Sequence, residues 1–165
     1  VEEGAPVNII LYFHGLRTNV STRLRELKSR FLSNPNTILL VPDLEKESIS
    51  ADYIEQQLES LGNPEVKTIQ LYGHSAGGKP MSKFILSGPP MLDKVISVTY
   101  LDAIYSSSYQ VQDVLESMCG KVNIITQPKG TPYRWAKKLA KIKGDCLMTA
   151  VIKQSHDAFR IPPTE

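Results

Sequence analysis

Six short runs rich in β-branched residues punctuate the chain, at Val7–Phe13, Thr37–Val41, Lys67–Tyr72, Lys94–Leu101, Lys121–Thr126 and Cys146–Lys153, with longer segments between them. Runs of this length and composition read as strands. The longer segments read as helices, because their apolar residues recur on one face. Leu24, Leu27, Phe31 and Leu32 do so within 22–32, and Tyr53, Ile54, Leu58 and Leu61 repeat the pattern. So do Val111, Val114, Leu115 and Met118, and then Trp135, Leu139 and Ile142. Strand and helix alternating in this way predict an α/β fold. The expected form is a three-layer α/β/α sandwich with a mostly parallel sheet of about six strands, helices on both faces and right-handed crossovers. Gly62-Asn63-Pro64 and Gly88-Pro89-Pro90 stop two helices, and Pro128 to Pro132 mark a loop before a basic one.

With 165 residues, 41% hydrophobic and 22% charged, the chain suits one domain spanning 1–165, without repeat or linker. A net charge of +2 with no block of like charge argues against a nucleic-acid partner. No apolar run approaches the roughly 18 to 20 residues that span a bilayer. Val1-Glu2-Glu3-Gly4 has neither the basic end nor the apolar stretch of a signal peptide, so the domain reads as soluble with no transmembrane segment. Cys119 and Cys146 are too few and too far apart for a zinc cluster, and no metal is expected. Each falls just before a run read as a strand, at the amino-terminal edge of neighbouring parallel strands. A disulfide, which would favour an extracytoplasmic compartment, and two separate buried thiols are both compatible with that placement.

The most specific stretch is Gly73-His74-Ser75-Ala76-Gly77-Gly78, a G-x-S-x-G pattern between the run Ile69-Gln70-Leu71-Tyr72 and an expected helix. A nucleophile on a very tight strand-to-helix turn needs residues without side chains two positions either side, and Gly73 and Gly77 meet that need. The turn lifts the Ser75 hydroxyl above the sheet, with a helix amino terminus beneath it to stabilise negative charge. The plainer alternative is a glycine-rich turn that merely starts a helix.

In this motif and in its strand–helix order the chain resembles the α/β-hydrolase fold serine hydrolase family. Its compactness is similar to that of cutinases and minimal bacterial lipases. The resemblance implies a nucleophile, then an acid, then a histidine near the carboxyl terminus, which selects Ser75, Asp102 and His156. His156 is the only histidine after Ser75. The acid often stands one strand later in the family, but Gln127-Pro128-Lys129-Gly130-Thr131-Pro132 contains no carboxylate, which leaves Asp102. Asp157, adjacent to His156, is expected to point elsewhere, and Asp43 reads as a loop or capping residue. The resemblance further implies an oxyanion hole from the backbone N–H of Ala76 and a second N–H after the first strand. There Phe13-His14-Gly15-Leu16 resembles the family's His-Gly pair, with Leu16, or failing it Arg17, as donor. His14 is expected to support this loop, and His74 to act as a packing neighbour.

These assignments imply a serine hydrolase acting on a carboxylic ester, without cofactor, through an acyl-enzyme on Ser75. The gap from Asp102 to Lys121 has room for only one ordinary helix, so the site is expected to be open to a small-molecule or polymer-borne acyl substrate. Two other readings stay open. One is an amidase or peptidase with the same triad, for instance one acting on a cell-wall polymer. The other is a non-catalytic binding domain on the same fold. The helix bearing Arg134, Lys137, Lys138 and Lys141 is basic and amphipathic, which suits either contact with an anionic surface or a solvated face.

Overall fold

The computed structural model describes residues 4–163. Residues 1–3, which belong to the amino-terminal segment read above for a signal peptide, lie outside it, as do 164–165. The chain runs β1 (Val7–Phe13), α1 (Val20–Phe31), β2 (Thr37–Leu40), α2 (Tyr53–Glu59), β3 (Val66–His74) and α3 (Gly78–Leu86). It continues through β4 (Val95–Leu101), α4 (Val111–Ser117), β5 (Val122–Thr126), α5 (Thr131–Lys143) and β6 (Leu147–Val151).

The strands form one six-stranded sheet in the order β2-β1-β3-β4-β5-β6. All of its pairings are parallel, so the α/β reading holds and the sheet is fully parallel over the described residues. The order has a direct consequence for the site. From β1 the chain moves out to β2 and then crosses back to β3 before stepping through β4, β5 and β6. The direction of winding therefore reverses between β1 and β3, where the loops leaving the two carboxyl ends diverge and open a crevice.

Alternation along the strands sends their apolar side chains to two cores. Val7, Ile9, Leu11 and Phe13 of β1 face the layer of α2 to α5, with Met81, Ile85, Val114, Leu115 and Leu139 packed against the sheet. Ile10 and Tyr12 face the other way, towards Leu27 and Phe31 of α1 and Phe159 of the carboxyl-terminal segment. Removing this much apolar surface from water is the main force holding the three layers together. Local signals agree: the Asn19 side chain caps α1 by accepting from the Thr22 N–H at 3.0 Å.

Some helix faces differ from the sequence pattern. Leu61 is exposed because α2 ends at Glu59 and leaves it in the following turn, and Leu32 lies just past the end of α1. In α5 the buried residues are Pro132, Ala136 and Leu139, whereas Ile142 is half in solvent. β6 ends at Val151 rather than Lys153, although the Ile152 N–H still donates to the Thr126 carbonyl at 2.9 Å before the chain bends towards the site. Among the described residues no helix is long and apolar enough to cross a membrane.

Cys119 and Cys146 are joined in a disulfide. It ties the turn before β5 to the turn before β6, at the amino-terminal ends of those strands, and the Gly120 N–H donates to the Cys146 carbonyl at 2.9 Å beside it.

Candidate active site

β3 carries extended backbone up to His74, and the chain then turns within one residue into a short 3₁₀ turn, Ser75–Gly77, that leads into α3. The sharpness of the turn is recorded at Ser75, whose φ of 54° lies in the left-handed region that side-chain-bearing residues rarely adopt. Two glycines make room for it. A Cβ on Gly77 would stand 2.1 Å from the Phe13 carbonyl oxygen, and one on Gly73 would stand 3.0 Å from both Gly78 Cα and Met81 Cε. Gly78, which the sequence pattern does not single out, is constrained as well: its Cβ would come within 2.9 Å of the Ala103 carbonyl oxygen.

The Ser75 hydroxyl is 2.9 Å from His156 Nε2, and His156 Nδ1 is 2.6 Å from Asp102 Oδ2. The carboxylate accepts a hydrogen bond from Nδ1–H, which fixes the tautomer and leaves the Nε2 lone pair to accept a hydrogen bond from the Ser75 hydroxyl. The Asp102 side chain is 5% exposed, against 39% for His156, so the acid is shielded from water while the imidazole reaches the crevice. Two backbone contacts hold Asp102: its N–H donates to the Ile125 carbonyl at 2.7 Å, and its Oδ1 accepts from the Gln127 N–H at 3.3 Å. Asp157 instead turns outward and pairs with Arg160 at 3.3 Å. Asp43 lies beside His14 and Lys46, where its Oδ1 accepts from the Glu45 N–H.

His74 lies behind this array. Its Nε2–H donates to the His156 carbonyl at 3.0 Å, and the two imidazoles stack with ring centres 5.1 Å apart. Burial drives the pKa of His74 down to about 4, so the ring is neutral at ordinary pH. A neutral neighbour adds no repulsion to a cation forming on His156.

On the β1 side of Ser75, Gly15 approaches so closely that its Cβ would be 3.2 Å from Ser75 Cβ. His14 braces this loop from both ends of its ring, with Nδ1–H donating to the Gly15 carbonyl at 2.6 Å and Nε2 accepting from the Leu44 N–H at 2.9 Å. The Arg17 N–H donates to Glu45 Oε1 at 2.6 Å. A cavity of about 310 Å³ opens beside this loop, walled by Leu16, Leu44, Ile49, Ala76, Pro80 and Phe84 together with the charged Glu45, Glu47 and Lys83. A larger cavity of about 630 Å³ lies on the α1 face of the sheet, against Asn8, Thr68, Gln70, Thr99 and Asn123. Neither cavity is lined by Ser75, Asp102 or His156; the smaller one adjoins the turn of Ser75 through Gly15 and Ala76, whereas the larger one has no residue of that turn.

One residue of the site has no sequence signature. Tyr105 lies in the loop after β4, and its hydroxyl is 3.3 Å from His156 Nε2 and 3.5 Å from Nδ1. Arg134, Lys137, Lys138 and Lys141 stay exposed on α5, with the Lys138 ammonium over the Trp135 ring and that of Lys137 over Tyr133. Among the described residues no group of three or more His, Cys, Asp or Glu side chains is placed to hold a metal ion.

No protein-family model matches the chain, and no curated protein does. Solved structures do. A lipase-esterase related protein from Clostridium acetobutylicum ATCC 824 aligns over 94% of this chain and 90% of its own, with a TM-score of 0.53 and 17% identity. A protein named as a candidate hydrolase from Agrobacterium vitis S4 aligns over 94% of this chain and 88% of its own, with a TM-score of 0.53 and 14% identity. At such identities the likeness is one of fold.

Proposed function

We propose that the protein is a serine hydrolase that cleaves a carboxylic ester through an acyl-enzyme on Ser75. The observation that carries this reading is the unbroken chain of contacts from Ser75 Oγ through His156 to Asp102, at 2.9 and 2.6 Å. Such a chain turns a weak hydroxyl nucleophile into a strong one. In the first step the Ser75 oxygen bonds to the substrate carbonyl carbon, its proton passes to His156 Nε2, and the carbonyl π pair moves onto oxygen. The N–H groups of Ala76 and Leu16 are the donors assigned to that oxygen. When the tetrahedral species collapses, the bond to the leaving oxygen breaks and that oxygen takes the Nε2 proton. Water then repeats the sequence on the acyl-enzyme, and Asp102 stabilises the imidazolium each time.

The 310 Å³ cavity beside Gly15 and Ala76 supports the reading, because a mostly apolar pocket next to the assigned oxyanion donors suits the acyl half of an ester. Between β4 and β5 the chain has only α4 and its flanking turns, so no lid domain is inserted between these two strands. The test is labelling with a fluorophosphonate serine-hydrolase probe and locating the adduct by mass spectrometry. The expected result is modification of Ser75 in the native protein and its loss in His156→Ala. A folded native protein that never reacts would overturn the proposal in favour of a non-catalytic binding domain.

A further inference from the structure

Tyr105 stands where no role has yet been assigned. Strand order puts the two loops flanking Ser75 on opposite sides: the Gly15–Leu16 loop leaves β1, and the loop of Tyr105 leaves β4. The Tyr105 hydroxyl donates to the Asp102 carbonyl at 3.3 Å and lies 3.3 and 3.5 Å from the two ring nitrogens of His156. The two nitrogens point in divergent directions, so a hydroxyl nearly equidistant from both lies on the axis of neither. It competes neither with Ser75 for the Nε2 lone pair nor with Asp102 for the Nδ1 proton. The Tyr105 and His156 rings meet edge to face, at 79°.

The hydroxyl is also free to turn. Its distance to the Asp102 carbonyl is long for an O–H···O bond, and 38% of the residue is exposed to the crevice. Burial of the ring raises the phenol pKa more than the nearby Ser75 hydroxyl lowers it, so the group keeps its proton across the working range of a histidine base.

We propose that Tyr105 is a second donor to the leaving group, opposite the oxyanion donors, in the reaction initiated by Ser75. As the bond between the carbonyl carbon and the leaving atom breaks, its electron pair moves to that atom. The proton comes from His156 Nε2, while the Tyr105 O–H rotates from the Asp102 carbonyl and hydrogen-bonds to the same atom without transferring its own proton. In deacylation the same hydroxyl contacts the attacking water. A donor at this place assists most when negative charge on the leaving atom is greatest and a second lone pair is free to accept it, so it suits the leaving oxygen of alkyl esters rather than that of activated esters. This inference rests on Ser75 being the nucleophile.

The experiment compares native protein and Tyr105→Phe on a series of esters with one acyl group and leaving groups from 4-nitrophenol to simple alcohols. Fluorophosphonate labelling is followed alongside, and thermal melting verifies the fold of the variant. The expected result is a loss in kcat/KM of roughly ten- to a hundredfold for alkyl esters, the range of one hydrogen bond to a developing charge. That loss should shrink steadily as the leaving group becomes more acidic. An equal loss across the series, or none, with Ser75 still labelled in native protein, would overturn the role of Tyr105 alone. Native protein whose Ser75 fails to label would overturn the nucleophile and this inference together.

Discussion

Asp102 Oδ2 meets His156 Nδ1 at 2.6 Å from the end of β4, the strand next to the one that carries Ser75. The following strand contributes no acid, yet it takes part in the placement, because the Gln127 N–H just past β5 donates to the other carboxylate oxygen at 3.3 Å. One oxygen is thereby anchored to the backbone while the other orients the imidazole. Asp102→Asn should lower turnover by roughly 10³- to 10⁴-fold by allowing the wrong tautomer of His156, as in other triads. Asp157→Asn should stay close to native. Steady-state kinetics on one ester checks both, and the opposite ranking would show that the acid has been misassigned.

Gly77→Ala should abolish labelling of Ser75 and destabilise the fold. The added methyl would stand 2.1 Å from the Phe13 carbonyl oxygen, and backbone at the centre of the sheet has little freedom to yield. Ala at Gly62, where a Cβ would meet nothing within 4 Å, is the useful contrast: its φ of +80° makes the substitution mildly unfavourable, with no effect on the site. Thermal melts and probe labelling of the two variants would separate a local clash from a general intolerance of glycine replacement.

His74 makes stability depend on pH. Its pKa is about 4 in the folded protein against an ordinary 6.5, so the unfolded chain binds the extra proton between those values. Stability therefore falls as pH drops from about 6.5 to about 4, by a total on the order of 3 kcal/mol, and this contribution is flat below that window. His74→Gln, which retains a donor for the His156 carbonyl, should flatten the slope. Urea midpoints measured across pH 4 to 7 provide the check (roughly the span of the two pKa values), and parallel slopes in the two proteins would exclude His74 as the source.

The Cys119–Cys146 bridge closes a loop with a sequence separation of 27 and lies at the amino-terminal ends of β5 and β6, whereas Ser75 follows the carboxyl end of β3. Chain-entropy reasoning assigns a loop of this size about 3 to 4 kcal/mol of stabilisation. The double replacement Cys119→Ser, Cys146→Ser should lower the melting temperature by several degrees and leave kcat/KM of the folded protein unchanged. A selective loss of activity without a shift in melting would contradict this account.

By itself the sequence determined the alternation of strands and helices, because apolar periodicity is a local property that burial on a sheet or on one helix face imposes. It also marked the turn at Ser75, since a backbone approach as close as that of Gly77 to Phe13 leaves glycine as the only residue that fits. Order along the chain, read through the resemblance to the α/β-hydrolase family, was enough to nominate Asp102 and His156. Tertiary structure decided what depends on distance between remote segments. It paired Cys119 with Cys146, where the sequence allowed a bridge or two free thiols, and it set Glu45 against the Arg17 N–H, a contact that no pattern in the sequence announces. It brought Tyr105 beside His156 across 51 residues of sequence, a contact with no periodicity or motif to announce it. A parallel sheet works in this way: each strand reads as a strand on its own, but which loops share a crevice is fixed only by the order in which the strands are laid side by side.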